Sequence, residues 1–516
     1  MAKRLRVAIL LIVAFALTAC QLPPRTAIEE SYALSASVTE RTTLGAAVSE
    51  QAERHPDRSG IHILADSQDA FAARIQLVRG AERSIDLQYY IWRLDSTGSM
   101  LTQELVKAAQ RGVRVRLLLD DFETTGLDAQ LNRLHQHPNI EVRLFNPFVM
   151  RSQKWLGFIT DLDRANRRMH NKTFTVDNSV TIIGGRNIAD PYFGATDDFL
   201  FSDLDVLAIG PVVNAVVTDF DDYWNSKSAY PIDLIHPADQ PPTDSAPIEK
   251  IVQQHTSGDD AVNHQTVVDE SQFFTRLVAG GLELTWAPTT MLSDDPSKGL
   301  GRAAEDEQLY PRLEDIILQS EQRLYLVTPY LIPTASGVEV LKELAAKGVD
   351  INILTNSLAA TDLAIVYAGY IKWRRELLEA GIKLYELKLS DEQLASDEDA
   401  AGSFSLSAGS LHAKAAAIDG KLLFIGSFNF DPRSANLNTE LGFIIASPEL
   451  TQALEQAFEN GVPEGAYRVM LDAEGKLTWV EQTRANPVHY STDPETSWWQ
   501  RTYVWFMSLL PIDYFL

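Results

Sequence analysis

The sequence predicts an α/β protein: two pseudo-symmetric α/β/α sandwich domains packed face to face around one shared active site. Three observations carry that expectation. His-x-Lys-x-x-x-x-Asp occurs twice, as His170, Lys172, Asp177 and as His412, Lys414, Asp419. Each copy is followed at the same distance by a glycine-containing turn and an asparagine, Gly184-Gly185-Arg186-Asn187 and Gly426-Ser427-Phe428-Asn429. Strand-like and helix-like segments alternate in the same order ahead of each copy, which implies α/β units with a mostly parallel or mixed sheet. A length of 516 residues exceeds what one hydrophobic core usually supports and suits two halves.

Taken in order, the chain begins with Lys3, Arg4 and Arg6, an apolar run over 7–17, and Leu17-Thr18-Ala19-Cys20, the three-part form of a secretory signal. Cys20 stands just past the small-residue cleavage position, as in a bacterial lipobox. The expectation is a lipoprotein signal over 1–20, lipidation at Cys20, and a membrane-anchored protein on the periplasmic, extracytoplasmic side. Residues 21–60, with Pro23 and Pro24, read as a tether. The first domain, 61–235, opens with an alternating strand over 84–92, then a helix over 100–110 closed by Arg111-Gly112, a strand over 113–119, another helix, and a strand over 140–145. A stretch rich in Pro, Asp, Gln and Ser marks a linker over 236–285, in which His255 and His264 read as solvated loop residues. The second domain, 286–448, repeats the order with a strand over 323–327, a helix over 337–346 closed by Lys347-Gly348, and a strand over 349–354. The glycines are 348 − 112 = 236 residues apart and the motif histidines 412 − 170 = 242, so the repeats drift by six residues. Residues 449–516 read as a C-terminal α/β cap ending in an aromatic segment with Trp498, Trp499, Tyr503, Trp505 and Phe506. That segment is too short to span a bilayer; it suits a membrane interface or docking on the core.

Composition narrows the function. With 45% apolar and 22% charged residues the body is an ordinary globular protein. A net charge of −25 argues against a nucleic-acid partner, since duplex affinity rests on neutralising phosphates with Lys and Arg. A single cysteine excludes disulfides and a cysteine-based zinc site within one chain. No Gly-x-Ser-x-Gly, Walker loop or His-Glu-x-x-His is present.

The repeated residues suit phosphodiester chemistry that needs no metal or cofactor. Residues two apart in a strand share a face, so each His should point the same way as its Lys. One imidazole attacks phosphorus while the other protonates the departing alcohol and then deprotonates the incoming acceptor. Lysines and asparagines surround the non-bridging oxygens where negative charge builds up. The glycines before Asn187 and Asn429 are expected to let backbone and amide approach the phosphate. Asp177 and Asp419 have a catalytic reading and a structural one, because Asp-Gly between apolar strands is a hairpin signal. Carboxylates are wanted to orient the histidines, and Asp203 and Glu440 fall in equivalent places in the repeats.

With these motifs the sequence resembles the phospholipase D superfamily, and within it the bacterial cardiolipin synthases of the C type. The likeness is carried by Asp86-Leu87-Gln88-Tyr89-Tyr90-Ile91-Trp92, Arg167-Arg168-Met169-His170-Asn171-Lys172, the run from Asp203 to Pro211, Leu292-Ser293-Asp294-Asp295-Pro296 and the run from Ile425 to Ser434. It extends from about Ile61 to the C-terminus. The resemblance implies phospholipase D-like domains with the active site complete within one chain, phospholipid substrates, and a membrane surface as partner. It implies transfer of a phosphatidyl group to phosphatidylglycerol through a phosphohistidine, giving cardiolipin, with phosphatidylethanolamine or a second phosphatidylglycerol as donor. It also implies His170 as nucleophile and His412 as acid and base. Hydrolysis to phosphatidic acid is the alternative, with a nuclease-type phosphodiesterase and a lipid-binding scaffold behind it.

Overall fold

The computed structural model describes residues 22–25, 28–194, 201–237, 259–389, 410–483 and 486–511. The signal-like segment, Cys20 and His255 lie outside the described residues. The first half contributes β1 (Ser59–Leu64), β2 (Ser84–Tyr89), β3 (Arg114–Asp120), β4 (Ile140–Phe145), β5 (Thr173–Val176), β6 (Val180–Gly184), β7 (Phe201–Ser202), β8 (Asp205–Ile209), β9 (Ala229–Pro231) and β10 (Thr285–Ala287). All but β7 form one sheet in the order β10-β1-β8-β6-β5-β2-β3-β4-β9. The second half contributes β11 (Thr289–Ser293), β12 (Arg323–Val327), β13 (Asp350–Asn356), β14 (Lys383–Leu387), β15 (Ser410–Leu411), β16 (Ala415–Ile418), β17 (Leu422–Gly426), β18 (Leu441–Ile445), β19 (Ala466–Leu471), β20 (Leu477–Glu481) and β21 (Val488–Tyr490). All but β15 form the second sheet, β11-β18-β17-β16-β12-β13-β14-β19-β20-β21.

The two sheets share a topology. β2-β3-β4 and β12-β13-β14 are parallel trios, and beside each lies an antiparallel hairpin, β5-β6 or β16-β17. Strand alternation sorts the residues by face. Ile85 and Leu87 of β2 join an outer core with the helices Ser67–Gly80 and Ser96–Gln110, whereas Asp86 is buried with Arg116 at 2.7 Å. Helix Ser96–Gln110 starts where Asp95 accepts the Gly98 N–H. It is followed, after Arg111, by Gly112 with φ 96°, and the matching helix Thr334–Ala346 is followed, after Lys347, by Gly348 with φ 91°. Left-handed backbone there favours glycine and turns each chain into the next parallel strand. Between the sheets, Ile183 and Val206 meet Ile425 and Phe443, with Val212 and Val216 of helix Pro211–Asn225 and Leu454 and Phe458 of helix Pro448–Gly465. The halves thus close on a common core, as the duplicated sequence predicts.

Several boundaries differ from the sequence reading, because segments read as connections or caps found apolar packing, hydrogen-bond or strand-pairing partners in the two halves. Within the expected tether 21–60, helix Thr43–Glu53 buries Leu44 and Val48, and the Glu29 and Ser31 carbonyls accept from Arg143 and Arg116. In the expected linker, helix Asp259–Glu270 lies against the first half, and His264 is buried rather than solvated, its Nε2 2.8 Å from the Phe193 carbonyl oxygen. β10 still belongs to the first sheet, so the chain crosses between sheets at Pro288. Within the expected cap, residues 449–483 pack into the second half rather than standing apart: helix Pro448–Gly465 fills the inner face and β19 pairs with β14.

The terminal aromatic segment is a helix, Trp498–Ser508, begun by a Ser497/Gln500 capping box. Val504 and Met507 join the second outer core, and Lys372 donates to the Leu510 carbonyl. Trp498, Trp499, Tyr503, Trp505 and Phe506 remain exposed. Among the described residues no helix is long and apolar enough to cross a membrane.

Candidate active site

Each motif histidine sits on the extended lead-in to a hairpin, just before β5 or β16, and is anchored by the opposite half. The His170 N–H donates to the Thr439 carbonyl at 2.9 Å, and the His412 N–H to that of Ser202 at 2.7 Å, where β15 runs parallel to β7. The residues following those carbonyls are Glu440 and Asp203. Consequently the His170 Nδ1 lies 2.9 Å from Glu440 Oε2, and the His412 Nδ1 lies 2.6 Å from Asp203 Oδ2. The carboxylates predicted to orient the histidines do so across the interface, each half serving the other's imidazole. With Nδ1 engaged, Nε2 is the ring nitrogen that would carry the chemistry. Both histidines line one cavity of about 630 Å³, together with Asn187 and Asn429.

Burial sets the protonation states. The His170 imidazole is driven well below its ordinary value by burial and then by the Lys172 and Lys414 ammoniums. His412 is lowered to about 4 by burial and Lys414, against the pull of Asp203. Lys172 and Lys414 are lowered to about 7 and about 8, chiefly by burial. Each lysine folds back on its own motif, Nζ donating to the carbonyl of His170 or His412. Burial pushes Asp203 up, but His412, Lys414 and Arg186 outweigh it and hold this carboxylate below its ordinary range. Glu440, by contrast, is raised to about 7 by burial despite Lys172 and the hydroxyls of Ser427 and Ser434. The two ends of the site are therefore electrostatically unlike. Among the described residues no group of three or more His, Cys, Asp or Glu side chains is placed to hold a metal ion.

The glycines act differently from the expectation. A Cβ on Gly185 would lie 2.0 Å from Asp203 Oδ1, and one on Gly426 2.3 Å from the Leu441 carbonyl oxygen. They make room for the neighbouring strand and its carboxylate, not for phosphate. The asparagines also divide. Asn187 is already used, accepting from the Ile91 N–H at 3.1 Å and donating to the Tyr192 hydroxyl at 2.8 Å. Asn429 is buried with its Oδ1 lacking a hydrogen-bond partner, an acceptor open to a donor group of a ligand.

Asp177 and Asp419 take no part in the cavity. Asp177 accepts the N–H groups of Glu82, Arg83 and Ser84 at 2.7–3.0 Å, and Asp419 those of Glu321, Gln322 and Arg323 at 2.8–3.0 Å. Both sit at positive φ, with Asn178 and Gly420 beside them likewise, the geometry of a two-residue hairpin turn. The catalytic reading of these aspartates is corrected: an extended strand carries them away from the cavity, to the start of β2 or β12. Asp177→Ala is expected to cost about 3 kcal/mol of stability by stranding backbone donors. The folded fraction should keep turnover within a few-fold, checked by denaturant unfolding beside a rate assay.

Sequence reasoning missed the clamps one residue before each histidine. Asp120 Oδ2 accepts the Met169 N–H at 2.7 Å, while Asn356 accepts the Leu411 N–H at 2.8 Å and donates to its carbonyl at 3.0 Å. The signal was present, because 356 − 120 = 236 is the offset of the paired glycines. Asp294, in one of the family-like stretches, holds the Glu440 N–H at 2.8 Å and ion-pairs with Lys298 at 2.9 Å.

Two similar lobes, each presenting a histidine to one cavity with its motif lysine buried behind it, and each supplying the other's orienting carboxylate, define a phospholipase D-type phosphodiester site. A family model described as "Cardiolipin synthase, PLD-like domain" matches residues 75–224 and 313–461, and the chain belongs to that family. It is 48% identical to cardiolipin synthase C of Escherichia coli (strain K12) over 475 residues, covering 92% of this chain and 99% of that protein. It is 27% identical over 399 residues to a cardiolipin synthase of Staphylococcus aureus (strain Mu50 / ATCC 700699), covering 77% of this chain and 66% of that one. In fold it resembles the crystal structure of phosphatidylserine synthase from Haemophilus influenzae Rd KW20, with TM-score 0.54, 16% identity, and coverage of 83% of this chain and 92% of that chain.

Proposed function

We propose that the chain is a phosphatidyltransferase that makes cardiolipin from phosphatidylglycerol and a phospholipid donor. The observation that carries this reading is the pair of cross-oriented histidines on one cavity. The His170 Nε2 attacks the donor phosphorus, a P–N bond forms, and the P–O bond to the headgroup alcohol breaks as His412 protonates that oxygen. A headgroup hydroxyl of phosphatidylglycerol then gives its proton to His412 while its oxygen attacks phosphorus. The P–N bond breaks and cardiolipin leaves. The positive charge of Lys172 and Lys414 and a hydrogen bond donated by the side-chain NH₂ of Asn429 stabilise the charge on the non-bridging oxygens. Since burial disfavours imidazolium in the empty cavity, the phosphodiester anion supplies the charge that lets one ring hold a proton.

The membrane reading joins this one. Phe122 and Leu363 are exposed and also line the cavity, and the exposed Trp155 lines an adjoining groove with Phe122, giving the mouth an apolar rim suited to a lipid surface. Lipidation of Cys20 would hold that rim at the membrane on the extracytoplasmic side. Nucleic acid is disfavoured by the charge of −25.

The test is product analysis. Purified protein is incubated with labelled phosphatidylglycerol, with and without phosphatidylethanolamine, and the products are identified by mass. Cardiolipin is expected. Phosphatidic acid as the main product would make the enzyme a hydrolase instead, with water resolving the intermediate.

A further inference from the structure

Resting on that reading, one wall of the cavity says which headgroup it receives. The pseudo-twofold relation makes the phosphate locus nearly symmetric, but its flanks are not. Asp362 lines the cavity in the second half; by the offset of the paired glycines its counterpart, 362 − 236 = 126, is Gly126. Both Asp362 oxygens accept from the Tyr330 hydroxyl, at 2.8 and 3.0 Å, and no cation pairs with them among the described residues. The other carboxylates of the wall are committed. Glu123 is 3.9 Å from the Arg93 guanidinium, and Asp431 is buried and caps the Ser434 N–H at 2.7 Å. Asp362 belongs to the His412 end. The Tyr192 ring stands edge-on to His412 with centroids 5.2 Å apart, and β12, whose Val327 pairs with Ala415 just after His412, leads into Tyr330, the residue that holds Asp362. An accessible carboxylate with the rings of Tyr330 and Tyr192 nearby has the chemistry of an ammonium subsite.

We propose that Asp362, with Tyr330 and Tyr192, forms the donor-headgroup subsite and selects a primary-ammonium headgroup over a neutral polyol. The position fits the mechanism, because the departing alcohol takes its proton from His412 and must lie at that end. A phosphatidylethanolamine headgroup places its ammonium two carbons from the breaking P–O bond, within reach of a carboxylate on the same wall. A glycerol headgroup offers only neutral hydroxyls there, so Asp362 discriminates between the donors.

The experiment uses the full-length protein in mixed micelles holding equimolar phosphatidylethanolamine and phosphatidylglycerol with acyl chains of different mass. The readout is the ratio of ethanolamine-derived to glycerol-derived turnover, from released headgroups and from the chains in cardiolipin. Asp362→Asn should lower that ratio about tenfold, the size of a lost ammonium contact. Tyr330→Phe should lower it less, and Asp362→Glu should keep most of it. An unchanged ratio in Asp362→Asn, or a wild type that releases no ethanolamine, overturns the proposal alone. A wild type that turns over neither lipid overturns the phosphatidyltransferase reading and the proposal with it.

Discussion

Alanine at His170 or at His412 is expected to lower turnover by about 10,000-fold or more, since each change removes a covalent or a proton-transfer step that the other ring cannot supply. The variants should stay folded. Each ring is buried, but its backbone N–H remains tied to Thr439 or Ser202 of the opposite half, and the sheets around it are untouched. A stability loss of about 1–3 kcal/mol, for the Glu440 or Asp203 carboxylate left without its imidazole, should lower the melting temperature by only several degrees. The two losses can be told apart with a phosphodiester whose leaving group is a good one, such as a nitrophenol. Departure of that group needs no proton, so the first step should recover in His412→Ala and not in His170→Ala. A phosphorylated protein should then accumulate in His412→Ala. Rescue of His170→Ala instead would exchange the two roles, and more than a tenth of wild-type turnover in either variant would end the paired-histidine mechanism.

The chemistry was legible in the chain because it is written twice in the same frame, and the topology because Gly112 and Gly348 mark the same turn in each repeat. What could not be read was which half serves which. The spacing set Asp203 and Glu440 in equivalent places but is silent on the short parallel bridges, Leu411 to Ser202 and Met169 to Thr439, that send each carboxylate across the interface. Such pairings are long-range, and local periodicity carries no trace of them. Asp177 and Asp419 show the opposite case. As part of a catalytic phrase they invited a catalytic role, whereas the Asp-Gly turn signal beside Asp419 was the better guide, and three backbone donors on each carboxylate settle it. His264 was misjudged because a polar, loop-like neighbourhood hid a helix with one face able to cover the first half.

Asp203→Asn is expected to cost about 1,000- to 10,000-fold in turnover, and Glu440→Gln far less, about 10- to 100-fold. Sequence alone treats these residues as equivalents, but the geometry separates them. Asp203 stays ionised and makes a 2.6 Å bond to the His412 Nδ1, which fixes the tautomer and supports the imidazolium formed when that ring takes the acceptor's proton. An amide there removes the charge and can turn its NH₂ toward Nδ1, favouring the wrong tautomer. Glu440 is already poised near neutrality at about 7 and is held by the Ser427 and Ser434 hydroxyls, so Gln preserves most of its contacts. The sign of the pH effect follows as well. Asp203 is the group that raises His412 against burial, so removing its charge should move the free enzyme's His412 below about 4, read by NMR titration of that ring. Gly185 offers an independent route to the same loss. A methyl at that position would meet Asp203 Oδ1 at 2.0 Å, whereas the matching Ser427 is tolerated because Glu440 is longer by one methylene and accepts its hydroxyl. Gly185→Ala should therefore reproduce much of the Asp203→Asn defect while leaving every charged group in place. Wild-type turnover in Gly185→Ala together with a silent Asp203→Asn would show that His412 does not depend on its partner from the other half.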